Sequence, residues 1–503
     1  MSLSDDPSNV PTIHVTLKIQ PPPLHNKPNA TIKISHCNTP KPTSMANTTS
    51  SNRTTKEPKS KVRPHLVLFP LPFQGHINPM LQLATVLHSK GFSITIVHTR
   101  FNSPNPSNYT QISFQRIEDG LTEDDTENMD VIAILSHVNI NCEAPFRDFL
   151  GRMLMKEGER LACIVTDAML HFTQGVAEEF KIKRIVLRTS SAASFVPFEA
   201  FPMLREKGYI PMQALQSEMP VVELPPLRVK DLPDITTANR GTFYQLLAQM
   251  AKTTRASSGV IWNSIDSLEH SALAKIQQVF QIPVFAIGPL HKYSSSSSSS
   301  LLTQDRSCIA WLDKQATGSV IYVSFGSLAA MDTTELAETA WGIANSEIPF
   351  LWVIRPGSIR GMDWVELPEG FEKKTRGRGQ IVKWAPQEEV LAHPAVGGFW
   401  THNGWNSTIE SISEGVPMLC SPHFGDQRVN ARYVSHVWKL GLQLENGLER
   451  DQIAKAIKRL MIGTEAKEMR ERIKVVKENM DNCLKEGGSS YESLNRLTNY
   501  ILS

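Results

Sequence analysis

Two series of short apolar runs, each run separated from the next by stretches with helical spacing, constrain this chain more than any other feature. The first series begins with His65-Leu-Val-Leu-Phe-Pro70. Behind it, the segment 79–90 places Met80, Leu83, Ala84 and Leu87 on one helical face, Gly91 stops the helix, and Phe92-Ser-Ile-Thr-Ile-Val97 reads as the next strand. That is a β-α-β unit, and further strands are predicted at 161–165, 184–187, 260–262 and 284–287. The second series has strands at 320–323, 350–354, 381–384, 398–400 and 418–420, with helices at 333–345, 406–414, 427–439 and 451–461. A helical tail, 466–503, is broken at Gly487-Gly488. Strands that are apolar throughout have no polar face to give to water, so they require a parallel sheet covered by helices on both sides. The predicted class is α/β, with two facing Rossmann-like halves. Ligands of such sheets bind beyond the carboxyl ends of the strands, which places the expected working site in the cleft between the halves.

The boundaries follow from composition. Residues 1–62 are rich in Pro, Ser, Thr, Asn and Lys and lack any sustained period, so they are read as a disordered polar extension. Two origins stand for it: a Ser-rich, acid-poor leader, and an extension ahead of Met45. The first half is assigned to 63–290, a linker around the seven serines Ser294–Ser300 to 291–302, the second half to 303–484, and a final helix packing back on the first half to 485–503.

Several function classes lose their support at this stage. Of the 503 residues, 1–63 hold nine Lys and Arg against three Asp and Glu, leaving a net charge of −4 on the rest, a poor match for nucleic acid. The six cysteines are scattered without a C-x-x-C pair, and are read as reduced thiols. Neither a run of about 18 apolar residues nor an apolar signal core is present, so a cytoplasmic protein without membrane insertion is expected. The glycine fingerprints G-x-x-x-x-G-K-[ST] and G-x-G-x-x-G after a strand are missing. So are a D-x-D and any Asp/His cluster at metal-ligand spacing, and no metal or cofactor is expected.

What remains is the stretch from Trp384-Ala-Pro-Gln387 through Phe399-Trp-Thr-His-Asn-Gly-Trp-Asn-Ser-Thr-Ile-Glu410 to Gly425-Asp-Gln427. Here a strand ending near Trp400 runs through Thr-His-Asn-Gly into a helix starting near Asn406. A helix amino terminus with free N–H groups is an anion site, and His402, Asn406 and Ser407 add donors suited to a diphosphate. Glu410, one turn later, suits a ribose diol, and Trp384 offers a flat face for a base.

This 44-residue stretch, Trp384 to Gln427, resembles the signature box of plant family 1 UDP-dependent glycosyltransferases, of the 76 type. The resemblance extends over nearly the whole chain from about residue 63 through Phe73-Gln-Gly-His-Ile-Asn-Pro79, Val323-Ser-Phe-Gly-Ser-Leu328 and Trp352-Val-Ile-Arg-Pro356. It implies the GT-B fold, with UDP-glucose bound mainly by the second half and a small-molecule acceptor mainly by the first. Trp384 would stack on uracil, with Ala385 and Gln387 reading the base edge and ribose. Glu410 would hold the ribose, and His402, Asn406, Ser407 and Ser327 the diphosphate. Trp405, Asp426 and Gln427 would contact the sugar, joined by Thr189 from the other half.

The catalytic pair would be His76, expected in the loop after the first strand, and Asp167, at the end of the strand 161–165. Imidazoles titrate near neutrality and accept a proton from a hydroxyl, while a carboxylate orients the ring. The expected reaction is inverting transfer of glucose to a hydroxyl or carboxyl, giving a β-glucoside. Two other readings are a non-catalytic binder of UDP-sugar or small metabolite and an enzyme that only hydrolyses the nucleotide sugar. Phe146, Phe195, Phe198 and Met203 are candidates for the acceptor pocket. A monomer is the default.

Overall fold

The computed structural model describes residues 63–503 apart from 123–124, 126–128, 156–160, 236, 238, 294–299, 362–365 and 446. The predicted polar extension and most of the serine run lie outside the described residues.

The apolar runs pair into two sheets. The first contains β1 (His65–Phe69), β2 (Ser93–His98), β3 (Ser113–Arg116), β4 (Leu161–Asp167), β5 (Arg184–Arg188), β6 (Gly259–Trp262) and β7 (Val284–Ala286), in the order β3-β2-β1-β4-β5-β6-β7. The second contains β8 (Val320–Ser324), β9 (Phe350–Val353), β10 (Gly379–Val382), β11 (Val396–Thr401), β12 (Met418–Cys420) and β13 (Gly441–Gln443), in the order β10-β9-β8-β11-β12-β13. All strand pairs in both are parallel. In each sheet the chain winds from a central strand to one edge, then returns to the other side of its starting strand. The loops after β1 and β4, and after β8 and β11, therefore diverge and leave a crevice.

Burial on both faces is visible strand by strand. Val67 and Phe69 of β1 join one apolar core while Leu66 and Leu68 join another. In β8, Val320 and Tyr322 alternate in the same way with Ile321 and Val323. Burying each such side chain contributes about 1.5–3 kcal/mol. The helix Ser489–Leu502 adds Leu494, Leu497 and Ile501 to the core of the first sheet, and Tyr500 donates to the Ser258 carbonyl at 2.6 Å. The halves are tied by Trp405, whose Nε1 donates to the Asn263 carbonyl at 2.7 Å, and by Ser191, whose hydroxyl donates to Asn430 Oδ1 at 2.7 Å.

Four local expectations are corrected. β3 and β13 have no counterpart among the predicted strands, because both are edge strands, Ser113–Arg116 and Gly441–Gln443, without an apolar run. The strand expected at 381–384 lies two residues earlier as β10, which leaves Trp384 in the loop beyond it. The helix expected at 427–439 ends at Arg432 and widens into a π turn over Tyr433–Val437. The helix after β1 begins at Gln74, so His76 sits in its first turn and not in a loop. Pro79 lies inside this helix, and with no N–H to donate it frees the carbonyl four residues back, that of Gly75. Asn406 Nδ2 of the other half fills that vacancy at 2.7 Å.

Candidate active site

Between the carboxyl edges of the two sheets lies a cavity of about 610 Å³ lined by residues of both halves. On the first half's side, Asp167 closes β4, 1% exposed, and its Oδ2 lies 2.7 Å from His76 Nδ1. Asp167 Oδ1 accepts the Met169 N–H at 2.9 Å, which fixes the carboxyl plane. An ionised carboxylate only accepts, so Nδ1 carries the proton and Nε2 keeps the lone pair. The imidazole is 28% exposed and borders the cavity. Thr189, expected on a sugar, borders the cavity and also places Oγ1 3.0 Å from the same Nδ1, as a second brace on the ring.

On the second half's side the diphosphate candidates converge at the β8/β11 crevice. Ser327 follows β8, His402 follows β11, and Asn406 and Ser407 open the helix Trp405–Glu414. The His402 ring is wedged between two glycines. A Cβ on Gly326 would lie 2.5 Å from it and a Cβ on Gly404 2.6 Å from it, and Gly326 also has φ +73°. Gly326→Ala is therefore expected to lower the denaturation midpoint by an amount equivalent to about 1–3 kcal/mol and to weaken UDP binding. Chemical denaturation and titration with UDP measure the two effects. Burial, with His423 and Arg355 adding repulsion, pushes the His402 pKa down to about 3, so this imidazole is neutral at ordinary pH. Its Nδ1 is buried without a partner among the described residues.

Gln387 is a hub here. Its Nε2 donates to Glu410 Oε2 at 2.7 Å and to Ser407 Oγ at 3.0 Å, and its Oε1 accepts from Tyr322 Oη at 3.3 Å. Glu410 is buried, and burial together with the neighbouring Glu388 carboxylate raises its pKa well above the usual range. The Trp384 indole donates to Ser300 Oγ at 2.7 Å, and the Asp305 N–H donates to the Trp384 carbonyl at 2.8 Å. The last residue of the serine run and the segment after it thus wall this ring, with Ala385 buried beside it.

The sugar candidates divide. Asp426 accepts from Asn430 Nδ2 at 3.1 Å, and burial raises its pKa. Gln427 Oε1 accepts the His423 and Phe424 N–H groups at 2.9 and 3.1 Å, leaving its Nε2 for a ligand. Trp405 borders the cavity, and its indole, 3% exposed, donates to the Asn263 carbonyl. Asn406 spends its Nδ2 on Gly75 and leaves Oδ1 buried and unpartnered.

The acceptor candidates are mostly corrected. Phe146 packs on Phe69 at 5.2 Å and Phe195 on Trp262 at 5.5 Å, both fully buried in the core, and Met203 does not border the cavity. Phe198 does, joined by Phe243, Leu246, Leu247, Met169 and Leu135, which the sequence does not single out. Apolar composition alone does not tell a core side chain from a cavity wall.

The chain matches the family model described as UDP-glucoronosyl and UDP-glucosyl transferase over residues 90–479. It is 51% identical over 444 residues to UDP-glycosyltransferase 76B1 of Arabidopsis thaliana, covering 88% of this chain and 99% of that one. Among solved structures it is similar to UDP-glucose:anthocyanidin 3-O-glucosyltransferase in complex with UDP, with TM-score 0.77 and 25% identity over 88% of this chain and 99% of that one. It is also similar to Phytolacca americana UGT2 complexed with UDP-2fluoro-glucose and pterostilbene, with TM-score 0.74 and 29% identity over 87% and 99%. The chain belongs to the plant family 1 UDP-glycosyltransferases and has their GT-B fold. Within that family it stands with the 76 type. Among the described residues no helix is long and apolar enough to cross a membrane.

Proposed function

We propose that this UDP-glycosyltransferase transfers glucose from UDP-glucose, with inversion, to a hydroxyl or carboxyl of a small lipophilic plant metabolite or hormone in the cytoplasm. The observation that carries the reading is the His76–Asp167 contact of 2.7 Å at the mouth of a cavity whose opposite wall holds the donor candidates. Nε2 of His76 takes the proton of the acceptor hydroxyl as the oxygen attacks the anomeric carbon. The bond from that carbon to UDP breaks on the opposite face, and UDP leaves with the electron pair. The positive end of the helix Trp405–Glu414, with Ser327, Ser407 and His402, stabilises the departing charge. Glu410 and Gln387 hold the ribose, Trp384 stacks on uracil over Ala385, and Asp426 and Gln427 hold the glucose hydroxyls. Asn406 exchanges the Gly75 carbonyl for a phosphate oxygen. The protein acts as a monomer with UDP-glucose as co-substrate and no resident cofactor or metal.

Glucose as donor is supported by the relatives solved with UDP-2fluoro-glucose or named for UDP-glucose, and a flat aromatic acceptor by the pterostilbene and anthocyanidin in their names. The Phe198, Phe243 and Leu246 wall suits such a molecule. The test is incubation with UDP-glucose and a panel of plant phenolics, hydroxy acids, cytokinins and terpenoids, with conjugates followed by mass and the anomeric centre by NMR. A β-configured hexose conjugate is expected. Glucose released at a rate independent of acceptor would mark a hydrolase, and UDP-glucose bound but never consumed would mark a binder.

A further inference from the structure

The donor wall offers a diphosphate a helix amino terminus and neutral donors but, among its described residues, no full positive charge. On the second half's side the cavity is bordered by four acidic side chains, Glu388, Glu389, Glu410 and Asp426, and among the described lining residues of that half there is no lysine or arginine. His402 is neutral at ordinary pH. Arg188, the guanidinium on the lining, belongs to the first half, where Ser190 Oγ, Met250 Sδ and the Phe195 ring hold it. The helix end supplies only partial positive charge, and among the described residues only Glu389 of the four carboxylates has a cation on it, Arg306. A polyanionic diphosphate docked on this wall therefore gains from a full positive charge close behind it.

Arg355 stands directly behind the wall. It follows β9, in the Trp352-Val-Ile-Arg-Pro356 stretch that the sequence resemblance singled out but to which no role has been given. Its side chain is 7% exposed and its fork clamps three carbonyls. Nε donates to Gly326 at 3.1 Å, Nη2 to Ala329 at 2.6 Å and Nη1 to Pro356 at 3.1 Å. Gly326 is the residue pressed against the His402 ring, and Ser327 follows it on the lining. Among the described residues no carboxylate lies within ion-pair distance of Arg355. A buried guanidinium satisfied only by neutral carbonyls keeps its charge unmatched in the free protein.

We propose that Arg355 is a positioning and charge-compensating residue for the diphosphate of the nucleotide sugar. It acts through the turn from Gly326 to Ala329 without touching the ligand. Its three bonds fix the turn on which the phosphates dock, and its charge is matched when they do. The inference rests on the donor-site reading given under Proposed function.

The experiment compares uridine, UMP and UDP binding to the full chain and to the variants Arg355→Gln and Arg355→Lys. In the unmodified protein UDP is expected to bind much more tightly than uridine. In Arg355→Gln the UDP affinity is expected to fall about tenfold, the scale of one lost charge-assisted interaction, while uridine changes less than about twofold and UMP falls between. Arg355→Lys keeps the charge but loses the fork to three carbonyls, and its UDP-to-uridine ratio is expected to fall about threefold, between the unmodified protein and Arg355→Gln. The KM for UDP-glucose should rise in Arg355→Gln with the acceptor KM unchanged. Equal weakening of uridine and UDP, the mark of a merely structural role, overturns the proposal, as does an unchanged ratio. If Arg355→Gln does not fold, the lysine variant decides: a ratio lowered about threefold is the expected result, and an unchanged ratio, or uridine weakened as much as UDP, overturns the proposal. An unmodified protein that binds UDP no better than uridine overturns the donor-site reading and Arg355's role with it, whereas an intact ratio that ignores Arg355 removes only the latter.

Discussion

Replacing His76 with alanine is expected to lower kcat for transfer to a hydroxyl acceptor by about 10²–10⁴-fold, the usual contribution of a positioned general base. The KM for UDP-glucose should change little, because His76 borders the acceptor side of the cavity and none of the uridine or diphosphate candidates contacts it. Steady-state kinetics with each substrate varied in turn separates the two. Asp167→Asn is the informative companion. An asparagine amide in that place can donate to Nδ1, which then holds the lone pair and turns the proton outward on Nε2, the wrong tautomer for a base. The variant should lose most of the activity that His76→Ala loses while binding UDP normally. Thr189→Val removes only the second brace at 3.0 Å and should cost far less. An acceptor with an ionised carboxyl needs no base, so His76→Ala should spare ester formation. If His76→Ala leaves hydroxyl transfer intact, the base assignment is wrong.

How much of the fold and of the site is legible in the sequence depends on what each signal measures. Short apolar runs report burial on two faces, so β1, β2, β4 and most strands of the second sheet can be placed to within one or two residues. β3 cannot, because Ser113–Arg116 is an edge strand in which only Phe114 is half-buried and no apolar run forms. The residues of the box from Trp384 to Gln427 meet around one cavity, since a strand, a loop and a helix amino terminus in succession leave little freedom. Two features escape because they depend on contacts far apart in sequence. Trp405 turns its indole toward Asn263, 142 residues away, and Asn406 reaches Gly75, 331 residues away. Pro79 hides the true start of the helix that carries His76, since proline inside a helix reads from sequence as its beginning. The acceptor wall is the least legible. Phe146 and Phe198 are chemically the same, and only the packing of other helices sends one into the core and leaves the other on the cavity.

Glu410→Gln is expected to move donor affinity and stability in opposite directions. The ribose hydroxyls lose a carboxylate acceptor, so UDP-glucose affinity should fall about 10–100-fold, the range of one or two hydrogen bonds to a charged group. Stability responds to a different term. Burial and the Glu388 carboxylate raise the Glu410 pKa, to about 8, above the ordinary carboxyl value. A group raised in the folded state contributes stability that is fully present below its unfolded value and is lost as pH rises through its folded value. The free enzyme should therefore lose stability between about pH 4.3 and pH 8, as the buried carboxyl is forced to ionise beside Glu388. Glutamine stays neutral and still accepts from Gln387 Nε2, so the variant should denature later than the unmodified enzyme at pH 8, with the gap closing toward pH 5. Binding supplies the matching sign. Ribose hydroxyls donate to the ionised form, so ligand binding lowers the Glu410 pKa, releases a proton and tightens as pH rises toward 8. Uridine is the ligand to use, because it carries no phosphate to titrate. Calorimetry in two buffers of different ionisation heat should show proton release by the unmodified enzyme and none by Glu410→Gln. A variant that is less stable than the unmodified enzyme at pH 8, or whose uridine binding keeps the same pH slope, would remove Glu410 from the ribose site.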